Sequence, residues 1–287
     1  MNIWMNGRLV EKRSAKLSVF DHGTLYGDGV FEGIRVYSGR IFQGKAHLDR
    51  LFNSAATIRL KIPYTKQALV DATYETLHAN KRTDAYMRMV VTRGEGTLGL
   101  NPDKCLRPNT FIIVDTIDLY PREMYEKGLP VIIARTVRTA PRMLSPAVKS
   151  LNYLNNILAK IECLDAGVAE AIMLNDQGNV AEATGDNVFI VKGGRLITPP
   201  PSAGILLGVT RGVVVELARK LHIPLEEKDF GRADLYQADE CFLTGTAAEV
   251  VPVSNVDGRP IGDGQPGPVT RKLMVAFHEF IRAPEAE

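Results

Sequence analysis

The segment Lys149-Ser150-Leu151-Asn152-Tyr153-Leu154-Asn155-Asn156 sets one lysine at the mouth of an otherwise apolar, helix-patterned run. Leu151, Leu154, Leu158, Ile161 and Leu164 recur at three- and four-residue spacing, which predicts a helix with one buried apolar face. Gly167 supplies its stop. On such a helix Tyr153 lies one turn beyond Lys149, on the lysine's side. An ammonium held among apolar groups loses water, and desolvation favours the neutral amine. A neutral amine attacks an aldehyde and forms a Schiff base. Taken alone, a lysine at a helix start is an ordinary solvated surface group, so the reading depends on what else the chain carries.

The chain has 287 residues, 45% of them apolar, enough for one substantial core or two modest ones. Its 35 Lys and Arg nearly balance 33 Asp and Glu. No basic run is dense enough to track a phosphate backbone, so nucleic acid is not expected as a partner. Residues 1–10 lack a charged region followed by an apolar stretch, so no signal peptide is expected. No apolar run reaches membrane-spanning length, and no membrane association is expected. Cys105, Cys163 and Cys241 are odd in number and far apart, which fits buried free thiols in a reducing cytoplasm. The five histidines are scattered without metal-ligand spacing, and no metal is expected.

In chain order, residues 3–10 read as strand with a hairpin turn at Asn6-Gly7. Residues 31–37 and 40–42 read as strands, 47–60 and 65–79 as helices, and 85–92 and 110–116 as strands. Two helices among several strands make a small α+β domain over 1–118. Pro121 and Gly128 place an interdomain linker over 119–128, and a second domain fills 129–287. There, strands are expected at 131–135, 170–174, 187–191, 195–198 and 240–243, with a Gly193-Gly194 hairpin turn. Helices are expected at 210–221, capped by Thr210, and at 270–282, with 283–287 fraying. Gly208-Val209-Thr210-Arg211 opens a helix after an irregular loop. Its free N–H groups and the Thr210 hydroxyl could cradle an anion, although an ordinary threonine cap has the same sequence.

Lys149-Ser-Leu-Asn-Tyr153 resembles the cofactor-lysine motif of the pyridoxal-phosphate enzymes of fold type IV. These are the branched-chain aminotransferases, the D-amino-acid transaminases and the aminodeoxychorismate lyases. The resemblance runs from about Asn6 to about Phe277, with several motifs in the family's order. It implies an α+β chain of two domains: a small N-terminal α+β domain and a larger, barrel-like, cofactor-binding C-terminal domain.

The resemblance also assigns residues. Lys149 is the catalytic lysine that holds pyridoxal 5'-phosphate. Glu182, in Glu182-Ala-Thr-Gly185-Asp-Asn187, matches the glutamate that keeps the pyridine nitrogen protonated. Tyr153 would hydrogen-bond the ring's phenolic oxygen, and Leu206 would lie under the ring. Val209 and Thr210 match the phosphate site, and Arg50 matches the arginine placed on the phosphate. Without the match Arg50 would read as a helix-surface arginine. The loop Gly245-Thr246-Ala247-Ala248-Glu249 suits phosphate and substrate carboxylate, through Thr246 and Ala247.

Tyr26 and Phe31 resemble the lining of the side-chain pocket. Phe31-Glu32-Gly33-Ile34-Arg35, Tyr86-Met87-Arg88 and Gly245-Thr-Ala-Ala-Glu-Val-Val-Pro252 resemble the branched-chain subgroup most closely. Leu100 matches a loop that reaches a neighbouring subunit's site, which implies a homodimer or an assembly of dimers; its plain alternative is a surface loop.

The implied reaction moves the amino group of leucine, isoleucine or valine to 2-oxoglutarate. The pocket must then accept glutamate as well, and a buried carboxylate without a partner is very costly. Arg88, on one strand face with Tyr86, is the candidate cation, and Arg35 is the second. A D-amino-acid or (R)-amine transaminase and an aminodeoxychorismate lyase remain as alternatives on the same fold. Residues 94–101 lack the arginine–x–histidine pair of the D-specific enzymes, which weighs against that one.

Overall fold

The computed structural model describes residues 1–117 and 119–283. Two compact units emerge: Met1–Ile117 with Val148–Asn152, and 119–147 with Tyr153–Ala283. The expected domain end at residue 118 and the fraying beyond 283 lie outside the described residues.

The first unit begins with a hairpin, β1 (Asn2–Met5) and β2 (Arg8–Glu11). Asn6 and Gly7 turn it with φ of 51° and 93°, the left-handed geometry that an Asn-Gly pair tolerates. Then follow α1 (His22–Tyr26), β3 (Gly29–Tyr37), β4 (Arg40–Ile41), α2 (Gly44–Thr57), α3 (Lys66–Ala79), β5 (Ala85–Thr92) and β6 (Asn109–Asp115). The strands form one antiparallel sheet in the order β2-β1-β6-β5-β3-β4. Alternation along β3 sends Val30, Ile34 and Val36 into a core with Met87, Met89 and Ile112. Leu48, Leu51 and Ala55 of α2 and Leu69, Ala72 and Leu77 of α3 complete that core. Phe31, Gly33 and Arg35 take the other face of β3.

The helix expected to open at Lys149 does not open there. The Phe31 N–H donates to the Lys149 carbonyl at 3.0 Å, and the Leu151 N–H donates to the Gly29 carbonyl at 2.9 Å. Ser150 bridges Val30. The free edge of β3 thus pairs with the backbone of Lys149–Leu151, and the Ser150 N–H donates to the Val148 carbonyl at 2.8 Å, a tight turn centred on Lys149. Leu151 packs onto Gly29, where an added Cβ would come within 2.6 Å of its Cδ1. The helix starts only at Leu154, with Tyr153 as its N-cap, so the lysine and tyrosine are not one helical turn apart.

The second unit contains α4 (Arg122–Lys127), β7 (Leu129–Ile133), α5 (Leu154–Asp165), β8 (Glu170–Leu174), β9 (Val180–Ala183), β10 (Asn187–Lys192), β11 (Arg195–Thr198) and α6 (Val209–Lys220). It continues with β12 (Leu225–Glu227), α7 (Arg232–Tyr236), β13 (Glu240–Gly245), β14 (Glu249–Val256), β15 (Arg259–Pro260) and α8 (Pro268–Phe280). Sheet order is β12-β11-β10-β13-β14-β7-β8-β9, with β15 on β14. β9 pairs back onto β10 through Glu182 opposite Asn187, which closes β10, β13, β14, β7, β8 and β9 into a ring. This is the barrel-like sheet that was expected. Leu129, Val131, Ile172, Val188, Ile190, Leu243 and Val251 belong to its core cluster.

The Gly193-Gly194 turn joins β10 to β11 with φ of 57° and 73°, as expected. The stretch 119–128, expected to link domains, contains α4, whose Met124 and Tyr125 pack on this core. Helix α6 starts at Val209 with Gly208 as N-cap, so Thr210 lies inside the first turn and is not the cap.

Helix α5 buries a different face from the one its apolar spacing predicts. Leu154, Ile157, Leu158, Ile161 and Leu164 are 47–66% exposed. Asn156, Ala159 and Cys163 are the buried positions, and Ala159 and Cys163 pack with Ala134, Ala171 and Met173. The small side chains suit close approach to β8, and the longer aliphatic chains are left outside. Cys163 and Cys241 are buried and Cys105 is half-buried. Among the described residues, no helix is long and apolar enough to cross a membrane.

Candidate active site

In the first unit, the edge pairing of Lys149–Leu151 on β3 sets Lys149 beside Phe31. The lysine Nζ lies 4.7 Å from the Phe31 ring centroid. Its backbone N–H donates to Ser54 Oγ of α2 at 3.1 Å. Strand register puts Arg35 opposite Tyr86 and Gly33 opposite Arg88, so Phe31, Arg35, Tyr86 and Arg88 share one face. The Arg88 guanidinium lies 4.7 Å from the Phe31 ring and 5.6 Å from the Tyr86 ring. Its Nη2 donates to Tyr86 Oη at 3.2 Å. Arg35 donates to the Ile117 carbonyl at 3.3 Å and stacks 5.2 Å from the Tyr37 ring. Tyr26 donates its hydroxyl to the Leu98 carbonyl, so it is tied to the loop that carries Leu100. Leu100 itself is 78% exposed.

The core face of β3 carries one charge, Glu32, and α2 answers it. Arg50 grips both Glu32 oxygens, Nε to Oε1 and Nη2 to Oε2, each at 2.7 Å. His47 Nδ1 lies 2.7 Å from Oε2. Spacing of three residues puts His47 and Arg50 on one side of the helix. Burial alone would raise the Glu32 pKa, but the hydrogen bonds and charge of Arg50 and His47 outweigh it and hold Glu32 at about 2. Burial keeps His47 below the ordinary histidine range, against the upward pull of Glu32. Arg50, matched to a phosphate, is therefore also one half of a buried ion pair.

This pair makes the fold acid-sensitive. The Glu32 pKa is depressed from 4.5 to about 2, so its stabilisation is complete above pH 4.5 and is lost as pH falls toward 2. The amount is ~3 kcal/mol by the pKa–energy relation. Glu32→Gln removes this dependence. Urea midpoints for wild type and variant should differ most near neutral pH and converge toward pH 2; a constant difference across that range contradicts the assignment.

In the second unit, the candidates gather around the ring-closing pair. Glu182 is 5% exposed. Its Oε1 accepts from Arg138 Nε at 2.8 Å, and its Oε2 accepts from the Leu206 N–H at 2.9 Å and Asn187 Nδ2 at 3.3 Å. Arg138 Nη1 also donates to Asn155 and Asn156 of α5, at 3.2 and 3.3 Å. Asn187 Nδ2 donates to the Leu206 carbonyl at 2.9 Å. At Gly208, before α6, a Cβ would sit 2.1 Å from Asn187 Oδ1, so a side chain there would displace the Asn187 amide. Val209 and Thr210 open α6, whose first-turn N–H groups have no partner within the helix. The Thr210 Oγ1 is buried without a hydrogen-bond partner. Thr246 and Ala247 form the turn between β13 and β14, next to Thr244, which pairs with Asn187. The Thr244 Oγ1 is likewise buried and unpartnered.

Thus the fold brings Phe31, Arg35, Tyr86, Arg88 and Lys149 together in one unit, and Glu182, Leu206, Val209 and Thr210 together in the other. Arg138 escaped the sequence reading because it lies on a stretch with no periodic pattern. Glu32 could have been caught: it interrupts the alternating Val30, Ile34 and Val36, and His47 and Arg50 stand three residues apart on the covering helix.

Residues 29–256 match the model of the protein family described as Amino-transferase class IV. Over 280 residues, 98% of this chain and 96% of the relative, the chain is 51% identical to the "Putative branched-chain-amino-acid aminotransferase" of Methanocaldococcus jannaschii. It is also similar to a solved branched-chain amino acid aminotransferase of the organism abbreviated T.th., with pyridoxamine 5'-phosphate, at a TM-score of 0.95 and 37% identity, covering 100% of this chain and 96% of that one. The same T.th. enzyme complexed with N-(5'-phosphopyridoxyl)-L-glutamate superposes at a TM-score of 0.93 and 36% identity, with the same coverage.

Proposed function

The chain belongs to the class IV amino-transferases, and from that membership we propose that it passes the amino group of leucine, isoleucine or valine to 2-oxoglutarate with pyridoxal 5'-phosphate as cofactor. The observation that carries this reading is the face of β3 and β5 where Lys149, Phe31, Tyr86 and Arg88 meet: a lysine side chain, aromatic walls and an arginine. The solved relative bound to a phosphopyridoxyl-glutamate supports both the cofactor and the acidic half-reaction.

The residues fit such a group. The unpartnered Thr210 hydroxyl and the first-turn N–H groups of α6 suit a phosphate dianion, with Val209, Thr246 and Arg50 as further contacts. When bound, the cofactor supplies an aldehyde for the Lys149 amine and an electron sink for charge developing at the substrate α-carbon. The Lys149 amine takes the α-proton and returns it. Glu182 keeps the pyridine nitrogen protonated, its carboxylate aimed by Arg138, Asn187 and the Leu206 N–H. Tyr153 donates to the phenolic oxygen, and Leu206 supports the ring. Tyr26, Phe31 and Leu100 form the apolar wall, Ala247 and Thr246 hold the substrate carboxylate, and Arg88 or Arg35 receives the side chain of glutamate.

The chain works as a homodimer or an assembly of dimers. The exposed Leu98, Leu100 and Leu106 of one loop and the exposed aliphatic stripe of α5 support this, because apolar patches of that kind mark protein interfaces. Buried or half-buried free thiols support a cytoplasmic setting.

The holoenzyme should show an absorbance band near the visible edge that shifts on adding L-leucine and returns on adding 2-oxoglutarate. A band indifferent to both contradicts the proposal. Thr210→Ala should weaken cofactor retention about tenfold to a hundredfold, the range for a hydrogen bond to a charged group. Dialysis against cofactor-free buffer measures it, and undiminished retention would place the phosphate elsewhere.

A further inference from the structure

Arg50, Arg93, Arg138 and Arg211 each grip a carboxylate: Glu32, Asp28, Glu182 and Glu227. Arg88, also partly buried, grips none among the described residues. Its guanidinium is held instead by the Phe31 ring at 4.7 Å, the Tyr86 ring at 5.6 Å and the Tyr86 hydroxyl at 3.2 Å. Gly33, opposite Arg88 in the sheet, makes room for this stack, because a Cβ there would sit 1.9 Å from Tyr86 Oη. A cation over an aromatic face is stabilised by the ring's electron density. Stacking leaves the in-plane N–H donors of a guanidinium available for a carboxylate, which a lysine ammonium could not imitate.

From this we propose that Phe31 and Tyr86 hold Arg88 in one orientation for both halves of the reaction. The ring faces carry its charge while an aliphatic side chain occupies the pocket, and its edge takes the distal carboxylate when glutamate does. Phe31 is then more than an apolar wall: it is the positioning residue that decides whether one pocket can serve a branched and an acidic substrate. The inference rests on the transaminase reading above and deepens it.

Two non-reacting acids separate the roles. Glutarate carries the distal carboxylate and 4-methylpentanoate carries a branch in its place. Their dissociation constants would be measured on the holoenzyme of wild type, Phe31→Leu, Arg88→Ala and the double variant. Phe31→Leu should lower the preference for glutarate by about threefold to tenfold, the range of a partly desolvated cation–π contact. In the Arg88→Ala background the same substitution should leave the preference unchanged, because the partner it orients is gone. Incorporating pentafluorophenylalanine at position 31 keeps the ring's shape, reverses its face charge and should mimic Phe31→Leu, whatever repacking the leucine causes. An equal shift with and without Arg88, no shift, or a rise in glutarate preference overturns the proposal. Failure of the underlying reading looks different: wild type would bind neither acid, or Arg88→Ala alone would leave the preference intact.

Discussion

Lys149→Ala should lose at least about a thousandfold in transamination rate, because in the proposed reaction one side chain supplies both the attachment point for the cofactor and the base that moves the α-proton. General acid–base catalysis alone contributes roughly 10²–10⁴-fold. The fold should survive. The segment is held by its backbone, through Phe31 to the Lys149 carbonyl, Leu151 to Gly29 and the Lys149 N–H to Ser54, and alanine keeps all three contacts. The side chain gives up its place over the Phe31 ring. Steady-state rates with L-leucine, together with a urea midpoint near that of wild type, check the prediction. A variant with normal turnover would remove Lys149 from the reaction.

Arg50→Ala carries the largest expected cost to stability. Glu32 is fully buried, and its two oxygens depend on Arg50 and His47. Removing one partner of a buried pair leaves an uncompensated charge, at about 3–5 kcal/mol. Replacing both with apolar residues, in Arg50→Leu/Glu32→Leu, should recover most of that loss, because no charge is then stranded. Cofactor retention should separate from stability: both variants lose the phosphate contact proposed for Arg50. A double variant no more stable than Arg50→Ala would mean that the cluster is held by something other than this ion pair. Full cofactor affinity in the double variant would take Arg50 off the phosphate.

Much of the scaffold was legible in the chain, and the failures have physical causes. Strands β5, β8 and β11 fall where alternation or apolar runs predict them, and the two glycine-containing turns adopt the positive φ values their residues allow. Helical spacing in 151–164 was misleading for two reasons. The open edge of β3 pairs with the backbone of Lys149–Leu151, and the helix starts only at Leu154. The large aliphatic residues of α5 then proved to be its exposed stripe, since the small Ala159 and Cys163 pack against the sheet. Periodicity shows that a face exists, not what covers it, and a surface that meets a second copy reads the same as a core.

The site was legible as motifs but not as geometry. Phe31, Tyr86 and Arg88 could be placed on one face from strand alternation, yet the stacking of Arg88 between two rings depends on register and on Gly33. Strand β9, which carries Glu182, was missed altogether, although its pairing with Asn187 closes the ring. Arg138, a charged partner of Glu182, comes from an irregular stretch whose position only the folded chain defines.

The most direct measurement of the central claim is product analysis with a panel of L- and D-amino acids, each supplied to the holoenzyme with 2-oxoglutarate. L-leucine, L-isoleucine and L-valine should yield their 2-oxo acids and L-glutamate in equal amounts. Arg88→Ala should lose roughly tenfold to a hundredfold in kcat/KM for L-glutamate relative to L-leucine, one charge-assisted pair. Turnover confined to D-amino acids, or pyruvate release from aminodeoxychorismate without any amino acceptor, would contradict it.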